Sequence, residues 1–168
     1  MRVQMSLLMM ICLTPALAYG NETGRDALFH IERNKNANIV QYDAQLAPDG
    51  RLLSKEPVVG YWIRLAHEGE IKELTWVQQK FAYGFDVKLD KKENTATMDM
   101  AANLGRTLLV RRDDEDYRAI AEIDGVESYV EKIYISASGS GMSTKVDYIE
   151  LFGKTLETGD DQYERFSP

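Results

Sequence analysis

The chain has 168 residues, 44% of them hydrophobic and 28% charged, with a formal net charge of −7 at pH 7. That length suffices for one self-supporting core, and the acidic balance disfavours nucleic acid and anionic lipid as partners. A single cysteine, Cys12, excludes an internal disulfide framework and any cysteine-based zinc site.

In chain order, the first signal is a leader. Arg2 precedes an apolar run from Met5 to Leu13, then Thr14, Pro15 and the small-residue triplet Ala16-Leu17-Ala18. A positive start, a run of this length and an A-x-A site describe a secretory signal peptide over residues 1–18. The run is too short to span a bilayer as a helix, so no transmembrane segment is expected. Lipid attachment through Cys12 is the weaker reading, because Met10 and Ile11 are large where small residues are wanted. Cleavage after Ala18 leaves residues 19–168 as one domain, periplasmic or secreted. Residues 1–18 hold one Arg and no acid, so their removal takes the formal charge from −7 to −8.

The rest reads as short strands. Leu28–Arg33 and Asn38–Ala44 flank Asn34-Lys35-Asn36-Ala37, where Asn suits the left-handed backbone of a tight hairpin. Pro48-Asp49-Gly50 is a turn. Val58–Leu65 is a third strand, and Gly84–Asp90, Thr95–Met100, Arg106–Arg112, Tyr117–Ile123, Val126–Ala137 and Lys145–Phe152 follow. Lys91–Asn94 and Asp113–Asp116 are charged turns, and Ser138–Ser143 is a hairpin tip. The exception is a helix near residues 73–83. Thr75 and Gln78 have capping-box spacing, Gly84 is a stop, and Leu74, Val77 and Phe81 make one apolar stripe. Strands at this spacing, joined by short sequential connections, predict a mostly β fold. We expect one antiparallel β-barrel of 8–9 strands, closed like a lipocalin or streptavidin, with that one α-helix.

Four blocks carry a family resemblance: F-H-I-E-R-x-K-N-x-N-I-V-x-Y-D at 29–43, P-V-x-x-Y-W-I at 57–63, L-T-W-V-x-x-K-F-A-Y-G at 74–84 and Y-I-E-L-F-G at 148–153. In this order they resemble domain of unknown function 4833, a family of exported bacterial β-rich proteins. The resemblance implies a β-rich exported domain and brings no catalytic residues with it. Asn34 stands where that family more often has Ser.

The first block is also where the chemistry is densest. Alternate strand residues share a face, so His30 and Glu32 point one way while Phe29, Ile31 and Arg33 point the other. Gln41 and Asp43 likewise oppose Val40 and Tyr42. With the apolar faces on one core, His30, Glu32, Gln41 and Asp43 line the opposite face within cross-strand reach. There they serve as a polar ligand surface, a general-base cluster, a holder for a cation or simply a solvated sheet face. Arg33, Lys35, Asn36 and Trp62 complete the candidate ligand-binding set.

Other motifs fail. His67 lacks the second histidine of H-E-x-x-H, and Asp113-Asp114-Glu115-Asp116 lacks the alternation and Gly of an EF-hand loop. The Ser138–Lys145 stretch misses P-loop spacing, and no G-x-S-x-G elbow occurs. No metal site and no cofactor are expected. The leading function is an exported protein binding a small molecule or envelope component. The alternatives are a hydrolase or isomerase using His30 with Glu32 or Asp43, and an accessory subunit whose exposed strands pair with a partner. Oligomeric state is not legible at this level.

Overall fold

A computed structural model describes residues 24–101, 104–139 and 143–168, with the side chain of residue 81 excepted. The leader, Cys12 and the centre of the Ser138–Ser143 tip lie outside the described residues.

Among the described residues eleven strands form one sheet. They are β1 (Arg25–Arg33), β2 (Asn36–Gln45), β3 (Val58–Arg64), β4 (Glu70–Glu73), β5 (Phe85–Asp90), β6 (Thr95–Met100), β7 (Leu108–Asp113), β8 (Asp116–Ile123), β9 (Val126–Ser138), β10 (Lys145–Thr155) and β11 (Asp161–Phe166). All nine expected strands are present. The two additional ones, β4 and β11, are polar sequences with few apolar residues, and each has only one strand neighbour.

β9 organises the sheet. One of its edges pairs with β10 from Ser128 to Ser138. The other edge is shared end to end. β8 takes Val126–Tyr129, antiparallel, and β1 takes Lys132–Ile135, parallel. Two wings therefore leave the same edge: β8-β7-β6-β5 and β1-β2-β3-β4. Their inner faces meet in one core, which includes Ile31, Val40, Tyr42, Met98, Leu108, Val110, Ile133 and Leu151. Tyr42 stacks on Phe29 at 4.7 Å and meets Phe85 of the other wing edge-on at 5.7 Å. Gly60 permits this approach, since a Cβ there would lie 3.0 Å from the Tyr42 ring and 3.4 Å from Phe85.

The expectation of a closed barrel is corrected here. β4 and β5 end the strand order without pairing, so the sheet is an open half-barrel. β4 covers only Tyr61–Arg64 of β3 and leaves Val58–Gly60 without a strand neighbour on that edge. The chain between β4 and β5 lines the gap instead, held by Tyr42 Oη donating to the Tyr83 carbonyl at 2.7 Å. A cleft of about 530 Å³ remains there, lined by Val58, Gly60, Leu74, Gln79 and Phe85 among others.

The expected helix over 73–83 is also shorter. It consists of α1 (Trp76–Gln78) and a π-helical turn (Gln79–Tyr83), while Glu73 belongs to β4. The capping box is present: Thr75 Oγ1 accepts from the Gln78 amide, and Gln78 Oε1 accepts from the Thr75 amide. Leu74 is buried, but Val77 is 57% exposed, so the apolar stripe does not face the core as a unit. The turn that carries Val77 is too short to lay one face on the sheet.

Candidate functional site

The alternation in β1 and β2 resolves as the sequence predicts. Phe29, Ile31, Val40 and Tyr42 are buried, and His30, Glu32, Gln41 and Asp43 lie on the opposite, outer face. Strand register carries that face far beyond the hairpin. Cross-strand partners run Glu73–Tyr61–Gln41–His30–Lys132–Phe152–Tyr163, a single row through β4, β3, β2, β1, β9, β10 and β11. A second row runs Glu32–Tyr134–Glu150–Arg165. Pairs directly opposed across strands share a face and touch, so these rows are contact chains.

Three polar clusters sit along the rows. In the first, Asp43 is buried and accepts from Gln41 Nε2 at 3.0 Å and from Tyr61 Oη at 2.5 Å. Burial, and after it the Asp43 carboxylate, push the Tyr61 hydroxyl up to about 12. In the second, His30 Nε2 lies 3.3 Å from Glu32 Oε1, and Lys132 Nζ lies 3.6 Å from Glu32 Oε2. The side chains of His30, Glu32 and Lys132 keep 30%, 38% and 32% exposure. They are wet on one side and fixed on the other. In the third, Glu150 accepts from Tyr163 Oη at 2.7 Å and from Arg165 Nε at 2.9 Å. Burial works against the Glu150 carboxylate, yet these two hydrogen bonds hold its pKa below the ordinary value. Cations cover two rings of this cluster: Lys132 Nζ is 4.2 Å from the Phe152 centroid, and the Arg165 guanidinium is 4.0 Å from that of Tyr148.

The remaining candidates separate from this face. Arg33 points inward, as its parity requires, and donates from Nη1 to Tyr83 Oη at 2.6 Å. Its Nε is buried with no hydrogen-bond partner among the described residues. Trp62 also faces inward and meets Tyr83 edge-on at 5.0 Å. Burial raises the Tyr83 hydroxyl pKa, against the pull of Arg33. Lys35 sits at the hairpin tip and donates to the Gly139 carbonyl. Asn36 Oδ1 accepts from the Asn38 amide at 3.1 Å beside the turn. Thus the structure joins His30 with Glu32, and Gln41 with Asp43. It places Arg33 with Trp62 on the other face and leaves Lys35 and Asn36 at the turn.

Asn34 behaves differently from the turn chemistry expected of it. It is not among the residues with left-handed backbone. Its side-chain amide instead donates to the Ala137 carbonyl at 3.1 Å and accepts from the Ala137 amide at 3.2 Å, like one more residue of a strand ladder. Lys132, Tyr61, Glu150, Tyr163 and Arg165 were missed as members of the face. Only the parallel pairing of β1 with β9 brings the last three strands, β9 to β11, beside the hairpin, and no local pattern announces it.

Among the described residues no group of three or more His, Cys, Asp or Glu is placed to hold a metal ion, and no helix is long and apolar enough to cross a membrane. The model of a family described as "Domain of unknown function (DUF4833)" matches residues 29–165. No curated protein and no solved structure matches the chain.

Proposed function

The chain belongs to the DUF4833 family, and we propose that it is an exported binding module whose ligand lies across the outer face of the sheet. The leader pattern of residues 1–18 supports export to the periplasm or beyond. One observation supports the site above the others: the row from Tyr61 through Gln41, His30 and Lys132 to Phe152 and Tyr163. From Tyr61 to Phe152 it crosses four interstrand steps, roughly 19 Å. Rings stand at its ends, and donors and acceptors stand at its centre. Of the carboxylates of the face, Glu32 and Glu150 each have a cation beside them, and Asp43 is held by the neutral donors Gln41 and Tyr61. Such a surface suits an elongated, hydroxyl-rich, uncharged ligand, of which an envelope oligosaccharide is the natural class. Aromatic faces cover its apolar side, and the fixed polar groups pair its hydroxyls.

Catalysis by His30 with Glu32 is the less supported reading. Their pair lies on an open face where water is not excluded, and Asp43 is engaged by Gln41 and Tyr61 rather than by His30. Calorimetric titration with neutral glucose and N-acetylglucosamine oligomers tests the proposal. Binding that lengthens with the oligomer and is lost in Lys132→Ala or His30→Ala, with the fold intact, is the expected result. Absence of binding by every oligomer, or binding indifferent to both substitutions, rejects it.

A further inference from the structure

We propose that the free edge of β4 pairs with β4 of a second copy of this chain, antiparallel, in a two-fold register centred on Ile71. β4 ends the strand order, and all four of its residues are exposed. Exposed apolar groups concentrate beside it. Of the six large exposed hydrophobics among the described residues, Leu65, Ile71, Trp76 and Val77 fall within thirteen positions around this strand. Ile71 itself is 66% exposed. It prolongs an outer-face row, Ile39–Ile63–Ile71, that stops at the sheet edge. An unpaired edge with such a row is a template for another strand.

The sequence Glu70-Ile71-Lys72-Glu73 selects both the occupant and the register. A two-fold axis normal to a sheet keeps every side chain on its own face. Directly opposed residues of an antiparallel pair also share a face, so the axis must pass between a residue and its own copy. Axes at Glu70, Lys72 or Glu73 set like charges directly against each other, which is unfavourable. The axis at Ile71 sets isoleucine against isoleucine. It also sets Glu70 opposite Lys72 of the other copy, on both sides. Lysine on an edge strand normally discourages pairing, yet in this register it meets an acid. The isoleucine row then continues from one copy into the next, and the Trp76–Val77 end of one copy points towards the Leu65–His67 turn of the other. Within each copy Arg64 lies 2.7 Å from Glu70, and Glu68 and Glu73 are the further charged groups at this junction.

The test uses the protein carrying Cys12→Ser, so that an introduced cysteine is the only one. Directly opposed Cα atoms lie about 4.5–5.5 Å apart, within disulfide range, so Ile71→Cys should give a covalent dimer on mild oxidation. In the same register two copies of residue 72 are offset by two residues, about 8 Å in all, so Lys72→Cys should stay monomeric. Sedimentation equilibrium supplies the second readout. Lys72→Glu should weaken dimerisation at least tenfold, and the exchange Glu70→Lys with Lys72→Glu should restore it. No cross-link at residue 71, equal cross-linking at 71 and 72, indifference to Lys72→Glu, or failure of the exchange to restore the dimer each overturns the proposal.

Discussion

The two wings that leave β9 are built differently. In the β5–β8 wing every step is local. Asn94, Asp114 and the Asp124-Gly125 pair take left-handed backbone in its turns, and β6 alternates buried and exposed residues along most of its length. Its β5–β6, β6–β7, β7–β8 and β8–β9 registers run without interruption. In the β1–β4 wing the attachment to β9 is parallel and non-local, and β1–β2 carries register shifts at Ala27/Phe29 and Ile31/Arg33. On its β1 and β2 strands the outer residues His30, Glu32 and Gln41 are half-buried and bonded to side-chain neighbours, while β4 is exposed. Regular alternation and tight turns make a scaffold that needs nothing from its outer face. Irregular pairing gives that face a defined polar arrangement, and such exceptions to local consistency occur at functional or strained positions.

The comparison breaks if the wings unfold separately. Tyr42 is fully buried, stacks on Phe29, meets Phe85 and donates to Tyr83, so it binds both wings and the connection between them. Tyr42→Ala should cost about 3–5 kcal/mol, from lost burial, a cavity and an orphaned carbonyl. Val110→Ala, inside the β5–β8 wing, should cost less. Both should shift one denaturant transition without splitting it. Two separated transitions in either variant would show that the shared core does not couple the wings.

This division also decides what was legible. Eight of the nine strands read from the sequence carry Val, Ile, Tyr or Leu between turn residues, the ninth, Thr95–Met100, is bounded by the turn residues beside it, and all are present. β4 and β11 escaped because Glu-Ile-Lys-Glu and Asp-Gln-Tyr-Glu-Arg-Phe lack that density and exist as strands only through a neighbour's edge. The facing of His30, Glu32, Gln41 and Asp43 followed from parity alone. Their true neighbours, Lys132 and Tyr61, and the openness of the barrel depended on long-range pairing, which one sequence does not encode locally. Arg33, a neighbour in sequence, and Trp62, an aromatic on the third strand, were both placed in the ligand-binding set with His30, while parity puts them on the inner side with Tyr83.

A sharper form of the comparison lies within the outer face. Asp43 is 5% exposed and receives both Gln41 and Tyr61. Asp43→Ala strands those two donors in a half-buried site and should cost about 2–3 kcal/mol. Chemical denaturation reads this directly, and a loss below about 0.5 kcal/mol would mean that Asp43 is a solvated surface group. Restoring stability with Tyr61→Phe on top of Asp43→Ala would identify the orphaned hydroxyl as the source.

A third anchor holds β11 to the β5–β8 side. Glu164 accepts from Arg106 Nη1 and Nη2 at 2.6 and 2.8 Å and from the Asp124 amide at 2.9 Å. The Arg106 hydrogen bonds, opposed by burial and helped by Asp124, hold its carboxyl below the ordinary glutamate pKa. Folding therefore favours the ionised form. The stabilisation is complete above the unfolded-state pKa and disappears as pH falls through the depressed folded-state value. Glu164→Gln should cost about 1–2 kcal/mol at neutral pH and flatten the acid limb of stability against pH. An unchanged acid limb would assign that slope to Glu150 and Asp161, the other carboxyls held low.

The smallest expected effect is the one that matters most for function. His30 faces outward at 30% exposure, and its side chain meets Glu32, itself 38% exposed and also served by Lys132. Removing the imidazole leaves no buried group unpaired and empties no core space. His30→Ala should therefore change stability by no more than about 0.5 kcal/mol, as for an ordinary surface position. Asp43→Ala, one strand away on the same face, is the internal contrast. A polar side chain held by the sheet but not needed by it is available to a ligand, whereas one whose loss unfolds the protein is part of the frame. A thermal melt of both variants separates the roles. If His30→Ala falls as far as Asp43→Ala, the row is a structural network from end to end, and the binding face proposed on it loses its centre.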